Sequence, residues 1–169
     1  MTQPLIRSAA PQDIPAITDI YGRSVETATA SFELEPPDPA EMERRYRALV
    51  DGGFPYLVAE ADGRVAGYAY AAPYRPRPAY RFTVEDTVYI APDMQRRGLG
   101  IALLNAVVRE SAARGFRQMV AVIGDSPMQA GSIALHAAVG FVEVGRMPDV
   151  GFKFDRWLDT VLMQRALTP

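Results

Sequence analysis

The sequence predicts an α/β domain built on a mixed, mostly antiparallel sheet of about seven strands with helices on both faces. Three observations carry that expectation. Two strand-like stretches, 56–61 and 64–72, flank Asp62-Gly63, a two-residue hairpin signal. A helical pattern over 98–114 lies between two strand-like runs and reads as a crossover of the parallel type. The second of those runs, 119–123, is apolar throughout, as in a strand covered on both faces.

Each element follows from local pattern. Residues 4–8 read as a short first strand. Residues 11–27 read as a helix, because Ile14, Ile17, Ile20 and Tyr21 recur at helical spacing and Pro11 and Pro15 are tolerated only at its start. A loop spans 28–37. Asp38 then reads as an N-cap, Pro39 as the first helical residue and Gly52 as the stop of a helix whose buried stripe is Met42, Tyr46, Leu49 and Val50. The hairpin strands follow, then a loop over 73–80 rich in Pro, Arg and Tyr, then a strand over 82–90. The helix over 98–114 turns Leu99, Leu103, Leu104, Val107 and Val108 inward and ends at Gly115. After the apolar strand, 132–139 reads as a short helix stopped by Gly140, and 141–147 and 158–167 as closing strands.

Composition narrows the function classes. The 169 residues suit one domain, 1–169, of a soluble globular protein, with 49% hydrophobic and 22% charged residues. A net charge of −2 with no basic tail or stripe argues against a nucleic-acid partner. The absence of cysteine excludes disulfides, thiol nucleophiles and thiolate metal sites, and the lone His136 excludes a histidine metal cluster, so no metal is expected. No apolar run is long enough for a membrane span, and residues 1–4 lack a secretory pattern, so the cytoplasm is the default compartment.

Four features carry chemistry. Gln95-Arg96-Arg97-Gly98-Leu99-Gly100-Ile101 follows the apolar Val88-Tyr89-Ile90 and opens a helix. Its glycines allow a tight curl, and the unpaired N–H groups of the helix start favour an anion. The plain alternative is a basic turn before a surface helix. On the strand 82–90, Phe82, Val84, Val88 and Ile90 share one face, and Asp86 interrupts it, so either Asp86 is paired or the strand bulges near 85–87. Glu85 and Thr87 then project from the other face. A carboxylate leaving a core strand suits a general base; it equally suits an ion pair with a nearby arginine. Arg75, Arg77 and Arg81 lie among prolines and tyrosines, a stiff frame for a small anion or a solvated basic loop. His136 shares a helical face with Ser132, and Gln129 extends that face if the helix starts early.

These residues together resemble a family. A strand, Gln-x-x-Gly-x-Gly opening a helix, an apolar strand and a short Ser-Ile-x-Leu-His helix ending in Gly-Phe resemble the GNAT (GCN5-related) N-acetyltransferases. Tyr74-Arg75-Pro76-Arg77, Tyr80-Arg81-Phe82-Thr83-Val84-Glu85, Val88-Tyr89-Ile90 and the run 151–159 resemble the phosphinothricin and methionine sulfone/sulfoximine group within it, as do Asp13-Ile14 and Ile20-Tyr21.

The resemblance implies the acyl-CoA N-acyltransferase fold and acetyl transfer from acetyl-CoA to the primary amine of a small amino acid analogue. It implies that N–H groups of Gln95, Arg96, Arg97, Gly98, Leu99, Gly100 and Ile101 hold the coenzyme's pyrophosphate, that its pantetheine arm runs beside Val88, Tyr89 and Ile90, and that Gln129 and Ser132 also contact the coenzyme. Gln129 stands where the family usually carries asparagine. Arg75 and Arg77 match positions that contact the substrate, plausibly its carboxylate, with Glu85, Asp86, Thr87 and Phe32 around the same pocket. Glu85 matches the proposed base, and His136 a histidine with a catalytic or site-shaping role. A homodimer is implied by the same resemblance. Acetylation of a peptide N-terminus or polyamine, or a non-catalytic acyl-CoA sensor, are the alternatives. The physiological amine is not written in the sequence.

Overall fold

The computed structural model describes residues 4–167. Its centre is a seven-stranded sheet whose neighbours run β1-β2-β3-β4-β5-β7-β6. In chain order, β1 is Leu5–Ser8, followed by α1 (Ile14–Thr27) and α2 (Pro39–Asp51). Strands β2 (Tyr56–Ala61), β3 (Arg64–Pro73) and β4 (Thr83–Ile90) come next, then α3 (Leu99–Ala113), β5 (Gln118–Gly124), α4 (Ala130–Ala138), β6 (Val142–Lys153) and β7 (Arg156–Ala166). Every pairing is antiparallel except β4 with β5, the pair that α3 joins. The mixed sheet and the crossover are as the sequence predicts.

Local chemistry explains the boundaries. Pro11–Asp13 form a single 3₁₀ turn ahead of α1, so the helix proper begins three residues later than its first proline suggests. The Asp38 carboxylate caps α2 by accepting from the Glu41 N–H at 2.8 Å. Asp62 and Gly63 both take positive φ, 53° and 75°, which gives the β2–β3 turn the handedness a twisted hairpin needs.

α1 and α2 cover one face of the sheet; α3 and α4 cover the other. The core between them includes Ile17, Val58, Val84, Leu103, Leu104 and Met119, all fully buried. Each such side chain stabilises the fold by roughly 1.5–3 kcal/mol relative to an exposed position.

Four expectations need correction. Val50 stands 41% exposed rather than in the α2 stripe, because Met42, Tyr46 and Leu49 already face the sheet and Val50 is rotated away from Leu49. Phe82 lies outside β4 and is exposed, packed under the Arg81 guanidinium; its carbonyl accepts from the Arg117 and Gln118 N–H groups. Val122 of β5 is 38% exposed, because β4 has by then left β5 uncovered. Finally, β6 does not stop at Met147. It continues to Lys153, its register shifting between Met147 and Gly151, with Asp149 at φ 53°. Pro148 is accommodated because β6 is an edge strand and the irregularity spares it a ladder bond.

Candidate active site

The site arises where the sheet splits. β4 pairs with β5 only through Thr83, Val84 and Glu85, while its pairing with β3 runs unbroken from Val84 to Ile90. Beyond Glu85 one edge of β4 therefore has no strand against it. α1, the start of α3 and α4 wall the gap, and a cavity of about 980 Å³ fills it.

The bottom of the cavity is the start of α3. Gly98 is the N-cap at φ 80°, a left-handed conformation that glycine adopts without penalty. The first helical bond runs from the Ala102 N–H to the Gly98 carbonyl, so the N–H groups of Leu99, Gly100 and Ile101, all at the cavity, precede the ladder. Gly100 also allows α4 close: a Cβ there would lie 3.2 Å from Leu135 Cδ2. Arg96 lines the cavity. Arg97 does not; its guanidinium pairs with Asp62 of the β2–β3 turn at 2.8 Å. Its contribution to an anion is thus restricted to its backbone.

Alternation along β4 separates the two carboxylates at the split. Glu85 and Thr87 point to the α1 side with Tyr70, which pairs with Thr87 across the ladder. Burial, helped by the charge of Asp86, pushes the Glu85 carboxyl up to about 7. Asp86 points to the α4 side, where its Oδ2 lies 2.9 Å from His136 Nε2. The strand has no bulge against β3 at this point, so of the two explanations for Asp86 on an apolar face, pairing is the one realised. His136 Nδ1 lies 2.7 Å from the Ser132 carbonyl. Burial alone would lower its pKa; the hydrogen bond and charge of Asp86, with the Ser132 carbonyl, outweigh it and hold the imidazole above its ordinary value. Glu85 and His136 line one cavity from opposite faces of the same strand.

The remaining predicted positions are distributed as follows. Residues 85–90 and 95–101, apart from Arg97, line the cavity, as do Gln129 and Ser132. Gln129 is the N-cap of α4, which begins two residues ahead of its expected start. Phe32 packs on two glycines, one from β5 and one from β6, which flank β7: a Cβ added at Gly124 or at Gly151 would lie 2.3 Å from its ring. Arg75 and Arg77 line a different, smaller cavity of about 320 Å³ with Tyr80, Arg81 and Phe54. The Arg75 guanidinium sits over the Tyr74 and Tyr80 rings.

Sequence reasoning missed the supports of the α1–α2 loop. Lys153 is buried, and its Nζ donates to the Ala28 and Ser31 carbonyls at 2.9 and 2.8 Å. Asp125, also buried, accepts from Thr29 Oγ1 at 2.5 Å and from Arg156. Tyr21 bonds both Ser31 and Glu33 at 2.8 Å. The one available signal was Lys153 itself, the single lysine in a chain otherwise supplied with arginine.

An anion cradle, a free strand edge and a base near neutrality form a path for a long phosphorylated thioester and an amine. A family model of the Acetyltransferase (GNAT) family matches residues 17–141. The chain belongs to the GNAT acetyltransferase family. It is 54% identical over 162 residues to the phosphinothricin N-acetyltransferase of Alcaligenes faecalis, spanning 96% of this chain and 82% of that one. It is 42% identical over 165 residues to an L-methionine sulfoximine/L-methionine sulfone acetyltransferase of Pseudomonas paraeruginosa, spanning 97% and 95%. The crystal structure of a GNAT superfamily phosphinothricin acetyltransferase from Sinorhizobium meliloti in complex with acetyl-CoA superposes with a TM-score of 0.95 at 46% identity, covering 99% of this chain and 90% of that one. The seven-stranded mixed sheet is the fold of this family.

Proposed function

We propose that this acetyltransferase carries the acetyl group of acetyl-CoA to the primary amine of a small amino acid analogue of the phosphinothricin, methionine sulfone or methionine sulfoximine type. The observation that carries the reading is Glu85, a carboxylate raised to about 7 at the point where β4 leaves β5. Acetyl-CoA supplies a thioester whose carbonyl carbon the neutral amine attacks. The N–H groups at the start of α3, with Arg96, fit its pyrophosphate, and the free edge of Val88–Ile90 fits its pantetheine amides. Glu85 takes the proton that the ammonium must lose, directly or through a water. Backbone N–H groups on the same free edge suit the developing oxyanion.

On the acceptor side we assign the substrate's anionic group to Arg75 and Arg77, whose loop leads into β4 and whose guanidiniums meet no carboxylate within ion-pair distance among the described residues. Thr87 walls the amine pocket, Phe32 packs on Gly124 at its edge, and His136 with Asp86 shapes it from the α4 side. Gln129 and Ser132 would contact the coenzyme from α4.

The reading treats residues 1–169 as one catalytic domain working as a cytoplasmic homodimer. One continuous sheet supports the former. Exposed Val142, Val144, Val150, Phe152 and Trp157 on the β6–β7 edge support the latter, and sedimentation should give a mass of two chains. Acetyl-CoA is an intracellular metabolite, and among the described residues no helix is long and apolar enough to cross a membrane.

The deciding experiment is release of the coenzyme thiol against a panel of amino acid analogues, peptides and polyamines. Turnover led by the sulfoximine, sulfone or phosphinothricin is the expected result. No turnover with any amine would leave an acyl-CoA sensor.

A further inference from the structure

The pair beneath the split accounts for a role the reaction does not itself demand. His136 Nδ1 meets the Ser132 carbonyl at 2.7 Å, and a carbonyl oxygen only accepts, so Nδ1 carries a proton. The Ser132 hydroxyl, at 3.5 Å, is too distant to compete. The other nitrogen, Nε2, meets Asp86 Oδ2 at 2.9 Å. The imidazole is 4% exposed and its ring is backed edge-on by Phe141 at 5.1 Å. Neither nitrogen has a lone pair free for a substrate. Asp86 Oδ1 is buried without a hydrogen-bond partner among the described residues. With Oδ2 on the imidazole and Oδ1 unpaired, the negative charge of Asp86 is offset on one side only.

We propose that Asp86 is a positioning residue that acts on its chain neighbour Glu85 through that charge, and that His136 is the imidazolium counter-charge of Asp86, not an acceptor of the amine's proton. The inference rests on Glu85 being the base. The surroundings of Glu85 single out Asp86. Tyr70 of β3 is the titratable group across the ladder, and Val120, its register partner on β5, is apolar. Glu33 of the α1–α2 loop and Arg45 of α2 pair with each other at 2.6 Å. Negative charge one residue away favours the protonated form of Glu85, in accord with the direction of its shift. A more basic Glu85 draws the ammonium proton more strongly. The imidazolium offsets the cost of burying the Asp86 charge.

Two measurements test this. His136 is the sole histidine, so its ring nitrogens can be read in ¹⁵N spectra of the whole chain without assignment. Both nitrogens protonated at about pH 7.5, above the ordinary histidine range, is the expected result; a neutral ring there overturns the proposal. In D86N the ring should become neutral at that pH, and the acid limb of kcat/KM should move down by about half a unit, because the negative charge lost is on the chain neighbour of Glu85 and the imidazolium lost with it lies beyond Asp86 on the far face of β4. A limb that stays in place overturns the tuning of Glu85. If D86N does not fold, the wild-type spectrum still decides the state of His136, and H136Q, which removes the counter-charge and leaves Asp86, should move the acid limb up; a limb that stays in place there overturns the tuning of Glu85. A wild-type profile with no acid limb removes Glu85 as the base, a separate failure that the histidine spectrum distinguishes.

Discussion

Glu85 is asked to be buried and to be a base, and the two demands have opposite costs. A carboxyl raised to about 7 is largely protonated in mildly acidic solution, so kcat/KM should fall about tenfold per unit below that pH, as a rate profile across the range would show. Glu85→Gln should lower kcat by about a hundredfold or more while leaving the affinity for acetyl-CoA, read by calorimetry, nearly intact. Stability runs the other way. The folded state holds the Glu85 proton more tightly than the unfolded chain does, so this group's contribution is fully present below the ordinary carboxylate range and is lost as pH rises through about 7. The Gln variant should therefore resist urea at least as well as wild type above neutral pH. The place of Glu85 at the cavity was partly legible in the sequence, because a carboxylate beside an apolar run is conspicuous. That Asp86 would be paired was one of two readable options; that its partner is His136 required the third dimension, since fifty residues separate them. The Arg97–Asp62 pair was illegible for the same reason: Asp62 belongs to a hairpin turn that local pattern cannot bring to the start of α3.

Among the elements, the helices, the β2–β3 hairpin and the last strand announced themselves, and the second half of β6 did not. The cap at Asp38 and the glycine turn at Asp62-Gly63 act within a few residues, so their signals survive in one dimension. β6 was cut short because Met147-Pro148-Asp149 has the composition of a turn, while its register shift against β7 is a property of two strands at once. That misjudged segment also presents Gly151 to Phe32. Gly151→Ala would place a Cβ 2.3 Å from the Phe32 ring, which must then leave its seat on Gly124 and Gly151. The expected outcome is a severalfold rise in KM for the amine with little change in KM for acetyl-CoA, measured by varying each in turn. Phe32 was expected at the pocket; the glycine slot that seats it was not legible, since the residues meet only after the sheet has formed.

For the whole molecule, the same sheet must be stable and incomplete. Its packed part tolerates little: Leu103→Ala, at a fully buried position on α3, should cost about 2–5 kcal/mol in chemical denaturation. Its open part gains from occupation. Acetyl-CoA binding to the folded state alone should add about 2.7 kcal/mol at a hundredfold excess over Kd, which a thermal melt reads as a rise of roughly 5–10 °C. The loop that faces this opening is fastened from below by Lys153, whose ammonium is stripped of water and whose pKa is lowered accordingly. With its only lysine folded away, the chain offers reagents aimed at ε-amines no such target on its surface. Modification of Lys153 would then clock how often the loop lifts from β6. The same shielding spares a protein that spends its working life beside an activated acetyl group from acylating its own lysine.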